Sequence, residues 1–201
     1  MNRRDLLKSI ALLTGGTLVG GDLLLSSFTY PADDMYGILP LDQVKLLNEL
    51  GETILPTTEK SKGGKAANVG ALINVIASDC YSKTEQNTFV ESLKQLNIDS
   101  SKSLKKTFLL ATKAERHKFL TALDQEAYDY QKQKPIKDNE ERKINKNFKP
   151  LPNHYFIGIK QAILWAYFNS EIGATEALRF VSVPTRFDGC VPYHKGDRSW
   201  Y

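Results

Sequence analysis

Three histidines, two cysteines and two glutamates flanking a glycine are the residues from which this chain could build chemistry. His117 stands among Glu115, Arg116 and Lys118 and reads as part of a solvated helix face. His154 falls at the start of a helical run, where it can cap or hold a boundary hydrogen bond. His194 lies beside Lys195 near the carboxy terminus. Their spacing makes no ligand set, and the E-x-x-H pairs of a di-iron bundle do not occur, so no metal is assigned. Glu171 and Glu176 flank Gly173 in the run SEIGATEAL. Paired carboxylates can do acid–base work, but no titrating partner accompanies them. The structural reading is stronger: Gly173 permits a bend, Thr175 and Glu176 restart a helical turn, and Arg179 can pair with a glutamate. No catalytic residue and no cofactor ligand is assigned.

The missing motifs remove whole classes of function. No G-x-G-x-x-G follows a strand, which argues against a dinucleotide or FAD fold in this chain, and no phosphate-binding G-x-x-x-x-G-K-[ST] is present. The G-x-S-x-G elbow and the H-E-x-x-H zinc helix are absent as well. No C-x-x-C occurs, so a zinc ribbon, a thioredoxin-type site and a haem attachment are excluded.

With 201 residues, 41% hydrophobic and 25% charged, the chain suits one soluble globular domain. The net charge of +4 is unevenly placed. Three basic residues against one acidic give +2 in the first eight, and seven against three give +4 across residues 131–150. The remainder is about −2, so no basic face for nucleic acid covers the body.

Arg3 and Arg4 precede a modest apolar run, residues 9–21, interrupted by Gly15, Gly16 and Gly20. The run is too short and glycine-rich for a membrane span, and it resembles a twin-arginine export signal. No clear A-x-A cleavage site follows, so removal or retention of residues 1–30 as signal and tether stays open. The expected location is the periplasm, with membrane association through a complex or an uncleaved signal left open. In an exported chain Cys80 and Cys190 are most simply one disulfide. Closing a loop of about 110 residues would stabilise by up to about 4–5 kcal/mol in the chain-entropy model. Two unconnected buried thiols, or a bond to a partner's cysteine, are the alternatives. The step Asp188-Gly189-Cys190 reads as a turn that presents the thiol.

The elements that must position these residues are helices. Apolar residues recur at steps of three and four over residues 41–55 (Leu41, Val44, Leu47, Leu50, Ile54), and Pro56 ends the run. A second helix over 69–80 puts Val69, Leu72, Ile73, Ile76 and Cys80 on one buried stripe. Ser82 with Glu85 and Thr112 with Glu115 form two capping boxes. The first opens a helix with Phe89, Leu93 and Leu96 inward, ending near Asn97, with a short helix following over 99–108. The second opens a long helix with Phe119, Leu120, Leu123, Ala127 and Tyr130 inward. The basic segment 131–149 is read as a flexible insertion or the frayed end of that helix. Asn153 can cap a last helix that is apolar most of the way round, with Leu164, Trp165 and Phe168 on its second face, and such a helix is normally central. No useful period-2 run occurs. The expected fold is all-α: one domain, residues 31–201, of about five to six helices with an irregular, aromatic-rich carboxy-terminal tail.

The blocks GETILPTT (from Gly51), SDCYS (from Ser78), LDQEA (from Leu123) and FNSEIGATEALRF followed by PTRFDGCVP, in this order, resemble the gluconate 2-dehydrogenase subunit 3 family. The similarity spans residues 41–192 and is weakest over 131–149. It implies a complex in which a glucose-methanol-choline type flavoprotein carries FAD and oxidises a sugar or sugar acid. A c-type cytochrome commonly carries the electrons onward on its haem. The small subunit is implied to hold neither cofactor and to help the flavoprotein mature and pass the twin-arginine translocase. A free-standing periplasmic helical binding or scaffold module is the alternative. Phe180, Phe187, Tyr193, Trp200 and Tyr201 are many aromatics for a terminal tail, and they are expected to form the partner interface unless they cover their own core.

Overall fold

The computed structural model describes residues 37–145, 147–183, 185 and 189–201. The Arg3-Arg4 signal and Phe187 therefore lie outside the described residues. From Gly37 onward the chain is all-α. Its helices are α1 (Leu41–Ile54), α2 (Val69–Cys80), α3 (Lys83–Leu104), α4 (Lys113–Ile144) and α5 (Tyr155–Phe168). A 3-10 turn (Phe108–Leu110) precedes α4 and a π turn (Gly173–Ala177) comes after α5. Helix α5 packs against each of the other four, so the expectation of a central last helix holds. Phe156, Ile159, Ile163, Ala166 and Tyr167 fill the middle of the core from its buried side. Trp165 does not join them: it stands 48% exposed on the outer face.

Both capping boxes form. The Ser82 and Thr112 hydroxyls accept the amides of Glu85 and Glu115, and each glutamate reaches back to its cap. Helix α3 does not stop at Asn97. It continues to Leu104 because the buried stripe of Phe89, Leu93 and Leu96 runs on to Ser100 with no glycine or proline to break it. It ends where Lys105 takes a positive φ of 55°. The short helix expected over 99–108 is therefore the end of α3 plus the turn that buries Phe108.

Helix α4 runs on past Pro135 to Ile144, which orders most of the segment read as a flexible insertion or frayed end. At 32 residues it is about 48 Å long. Its far half is pinned by few contacts. Asp138 pairs with Lys134 at 2.9 Å and accepts the Leu151 amide at 3.2 Å. The Tyr130 hydroxyl donates to the Pro152 carbonyl at 2.9 Å. Asn153 is held by Gln131, and the cap of α5 is His154, whose Nδ1 accepts the Phe156 amide at 3.3 Å.

Helices α1 and α2 meet through glycine. Gly64, in the connecting loop, lies so close to α1 that a β-carbon there would come within 2.5 Å of the Gly51 backbone. Val44, Leu47 and Leu50 are buried as expected and Leu46 joins them, while Leu41, at the start of α1, is exposed and Ile54 is half-buried. Arg116 ties α4 to this unit. It pairs with Glu49, donates to the Phe108 and Leu109 carbonyls at 3.0 and 2.7 Å, and lies 5.3 Å over the Phe108 ring. Burial alone would raise the Glu49 carboxyl, but Lys65 and Arg116 hold it below its ordinary value.

Two features of this architecture can be measured. Gly64→Ala forces backbone apart rather than a flexible side chain and is expected to destabilise by about 1–3 kcal/mol in thermal or urea unfolding; an unchanged midpoint would contradict the close approach. Lys106, with the Thr112 amide and hydroxyl, holds the Glu115 carboxyl down to about 2. A depressed carboxylate stabilises the fold fully above its unfolded value near 4.5 and loses that contribution as pH falls through about 2. A carboxyl-carbon NMR titration of Glu115 with its midpoint near 4.5 would contradict the capping geometry.

Candidate functional site: the surface at the end of α5

The last turn of α5 is locked to a loop more than a hundred residues away. Residues 56–68 leave α1 under the direction of one side chain, Glu52, which accepts the Thr57 amide at 3.0 Å and the Lys65 amide at 3.2 Å. The Thr57 hydroxyl then accepts the Gly63 amide at 2.9 Å. This arrangement aims Lys62 at the carboxy-terminal end of α5. The Tyr167 hydroxyl, on a side chain only 3% exposed, donates to the Lys62 carbonyl at 2.7 Å. Glu176 accepts the Lys62 amide at 2.8 Å and pairs with its ammonium at 3.3 Å. The Lys62 amide, then its side chain, holds the Glu176 carboxyl below its ordinary value.

The π turn arises from the same crowding. Gly173 packs directly on the Tyr167 carbonyl, where a β-carbon would overlap it. The Ser170 hydroxyl accepts the Gly173 amide at 3.0 Å and donates to the Tyr167 carbonyl at 2.6 Å. Single π turns are frequent at functional positions, and this one leads the chain out of α5 into the tail. Arg179 does not pair with a glutamate, as its spacing suggested; it faces Asp197 at 3.9 Å and lies 4.8 Å over the Trp200 ring. Its backbone makes a parallel bridge with Trp200, through Arg179 N to Ser199 O at 2.8 Å and Tyr201 N to Arg179 O at 3.3 Å. Arg198 donates to the Glu176 carbonyl at 2.7 Å, and the Tyr201 hydroxyl to Asn169 at 3.3 Å.

The structure brings three of the expected interface residues together. Phe180 and Tyr201 meet edge to face at 5.5 Å, with Trp200 beside Tyr201 in sequence. These three and Tyr193 are 46–76% exposed. Trp165, one turn before Asn169, extends the apolar surface on α5. It lines a groove of about 350 Å³ between α2 and α5 with Ile73, Ile76, Tyr81, Gly158 and Ala162. Trp165 was missed as a surface residue because its neighbours in sequence are core. The exposed side of α5 is marked by Gly158, Gln161 and Trp165, a step-of-three-and-four pattern that could have revealed it.

Cys80 and Cys190 stand as free, exposed thiols, and no disulfide joins them in the structure. The expected burial of Cys80 is corrected because the inward stripe of α2 is Val69, Ile73 and Ala77, and Cys80 lies off it. His117 lies on the exposed face of α4, facing a groove between α1, α4 and α5 that also holds the Asp124–Lys160 pair at 2.7 Å. His194 sits in an exposed turn against Asp197. Glu171 is exposed and apart from the Glu176 contact. Among the described residues no group of three His, Cys, Asp or Glu side chains is placed to hold a metal, and no helix is long and apolar enough to cross a membrane.

These features define a small all-α protein whose most distinctive segments build a shaped surface around one helix end. The family model of gluconate 2-dehydrogenase subunit 3 matches residues 41–185, and the chain belongs to that family. It is thereby an accessory subunit of a dehydrogenase complex. No curated protein and no solved structure matches the chain.

Tyr167→Phe removes only the hydroxyl that reaches Lys62. It is expected to cost about 1 kcal/mol in equilibrium unfolding, the usual net value of such a bond. Backbone amide exchange should quicken in residues 60–65. Unchanged exchange in that loop would show that Tyr167 does not hold it.

Proposed function

We propose that the chain is the non-catalytic small subunit of a periplasmic, FAD-dependent dehydrogenase of the glucose-methanol-choline type. In this reading it helps the flavoprotein mature and accompanies it through the twin-arginine translocase. The observation that carries the reading is the exposed aromatic surface of Phe180, Trp200 and Tyr201 at the end of α5. Phe180 lies within the family match, and Trp200 and Tyr201 lie beyond its last residue, 185. Aromatic side chains bury large area at low entropic cost, and proteins rarely leave them clustered in water without a partner. Phe187 and Tyr193 are assigned to the same contact. In this reading, which follows from the family resemblance, FAD belongs to the large subunit and haem to a c-type cytochrome subunit; this chain's own sequence carries no dinucleotide-binding turn and no haem attachment motif.

Export is tied to the flavin. A flavoprotein that acquires FAD in the cytoplasm must cross the membrane folded, and Arg3-Arg4 heads a weakly apolar run of the kind that serves this route. The signal makes most sense as one shared by a complex. Replacing Arg3 and Arg4 by lysine keeps the charge but removes the guanidinium pair. The expected result is that this chain and the flavoprotein, still co-purifying with each other, both stay in the cytoplasm. Normal periplasmic flavoprotein in that variant would refute the escort role, and absence of co-purification from the unaltered strain would refute the subunit reading in favour of a free-standing module.

A further inference from the structure

We propose that residues 189–201 act as a strap, closed on Arg179 and the π turn by two arginines, and that only the closed strap engages the dehydrogenase subunit. This inference rests on the reading of the aromatic surface as the subunit interface and adds a condition to it. Closure is what makes the surface. Phe180 lies before the strap and Trp200 and Tyr201 at its end, and the Arg179–Trp200 bridge brings them together. Between them the chain makes a reversal, with Gly196 at φ +101° and the His194 amide donating to Asp197 at 2.9 Å.

Among the described residues, the strap is held by the two backbone bonds of the Arg179–Trp200 bridge and by a few side-chain contacts. Arg198 reaches the Glu176 carbonyl at the end of the π turn, where a cation is favoured by the carbonyls left without helical partners. Arg179 stacks on Trp200 and faces Asp197. The Tyr201 hydroxyl reaches Asn169, the residue that closes α5. Every residue of the strap is exposed except Asp197, which is half-buried. A segment with so little burial opens easily, because local opening costs only the contacts it breaks. The partner it suits is a protein surface that buries three aromatic rings at once, since binding one preassembled face avoids the entropy of gathering them.

The test uses the full chain carrying Arg179→Gln and Arg198→Ala, with Arg198→Ala alone as a milder variant, and the purified flavin subunit as ligand. Trypsin cleavage after Lys195, followed by mass spectrometry on the free chain, reads closure without any partner. Helical circular dichroism should be unchanged, cleavage about tenfold faster, and affinity for the flavin subunit at least about tenfold weaker. Faster cleavage with unchanged affinity would overturn the proposal, since an open strap would then bind equally well. Cleavage at the wild-type rate would overturn it too, because the arginines would not be holding the strap. Failure of the unaltered chain to bind the flavin subunit would instead remove the interface reading itself, and is seen before any variant is made.

Discussion

The contact between Lys62 and the end of α5 is the constraint on which the distinctive half of this protein depends. Three bonds meet there: the Tyr167 hydroxyl on the Lys62 carbonyl, and the Glu176 carboxylate on both the amide and the ammonium of Lys62. The exposed ion pair contributes little by itself, as surface pairs generally do. The buried tyrosine hydroxyl and the backbone amide matter more, because polar groups taken out of water must find partners. Upstream, the loop can present Lys62 only because Glu52 organises it and Gly64 lets it press on α1. Downstream, the same contact fixes where the π turn ends and where the tail begins. The GETILPTT and SEIGATEAL blocks, far apart in sequence, are therefore two sides of one joint.

Around that joint the rest of the fold is a helical core of ordinary construction. Helix α5 supplies the apolar centre, α1 to α4 surround it, and Arg116 joins α4 to α1 while capping the carbonyls of the turn that buries Phe108. The Asp124–Lys160 pair and the Tyr155–Asp99 bond at 2.7 Å link α5 to α4 and α3 through its polar side. Burial and the Asp99 carboxylate push the Tyr155 phenol well above its ordinary value, so it remains a donor throughout the physiological range.

How much of this could be read from residues alone varied with the range of the interaction. The capping boxes at Ser82 and Thr112 and the all-α class are local signals and formed as read, and the apolar stripes did so in the main, with Leu41 and Cys80 falling outside them. Helix ends without a local marker were misplaced: α3 overran Asn97 because Ser100 carries its buried stripe, and α4 overran Gln131 because Asp138 ties it to Leu151. The Cys80–Cys190 bond was inferred from cellular context, and α2 turns Cys80 to solvent. The aromatic tail could be picked out by composition. Its attachment could not, because Lys62–Glu176, Arg198–Glu176 and Arg179–Trp200 are pairings between segments that no periodicity connects.

On the proposed reading the chain acts by binding, and the surface at the end of α5 is where it gathers exposed aromatic area on a fixed frame. The frame explains why a short helical protein carries a π turn and a tail folded back by two arginines. The most direct test is amide hydrogen exchange of the chain, free and bound to the proposed flavin subunit. The account predicts that binding slows exchange around Phe180, in residues 197–201 and in the last turn of α5. Unchanged exchange there, with new protection along the α1–α4 groove around Asp124 and Lys160 instead, would contradict it.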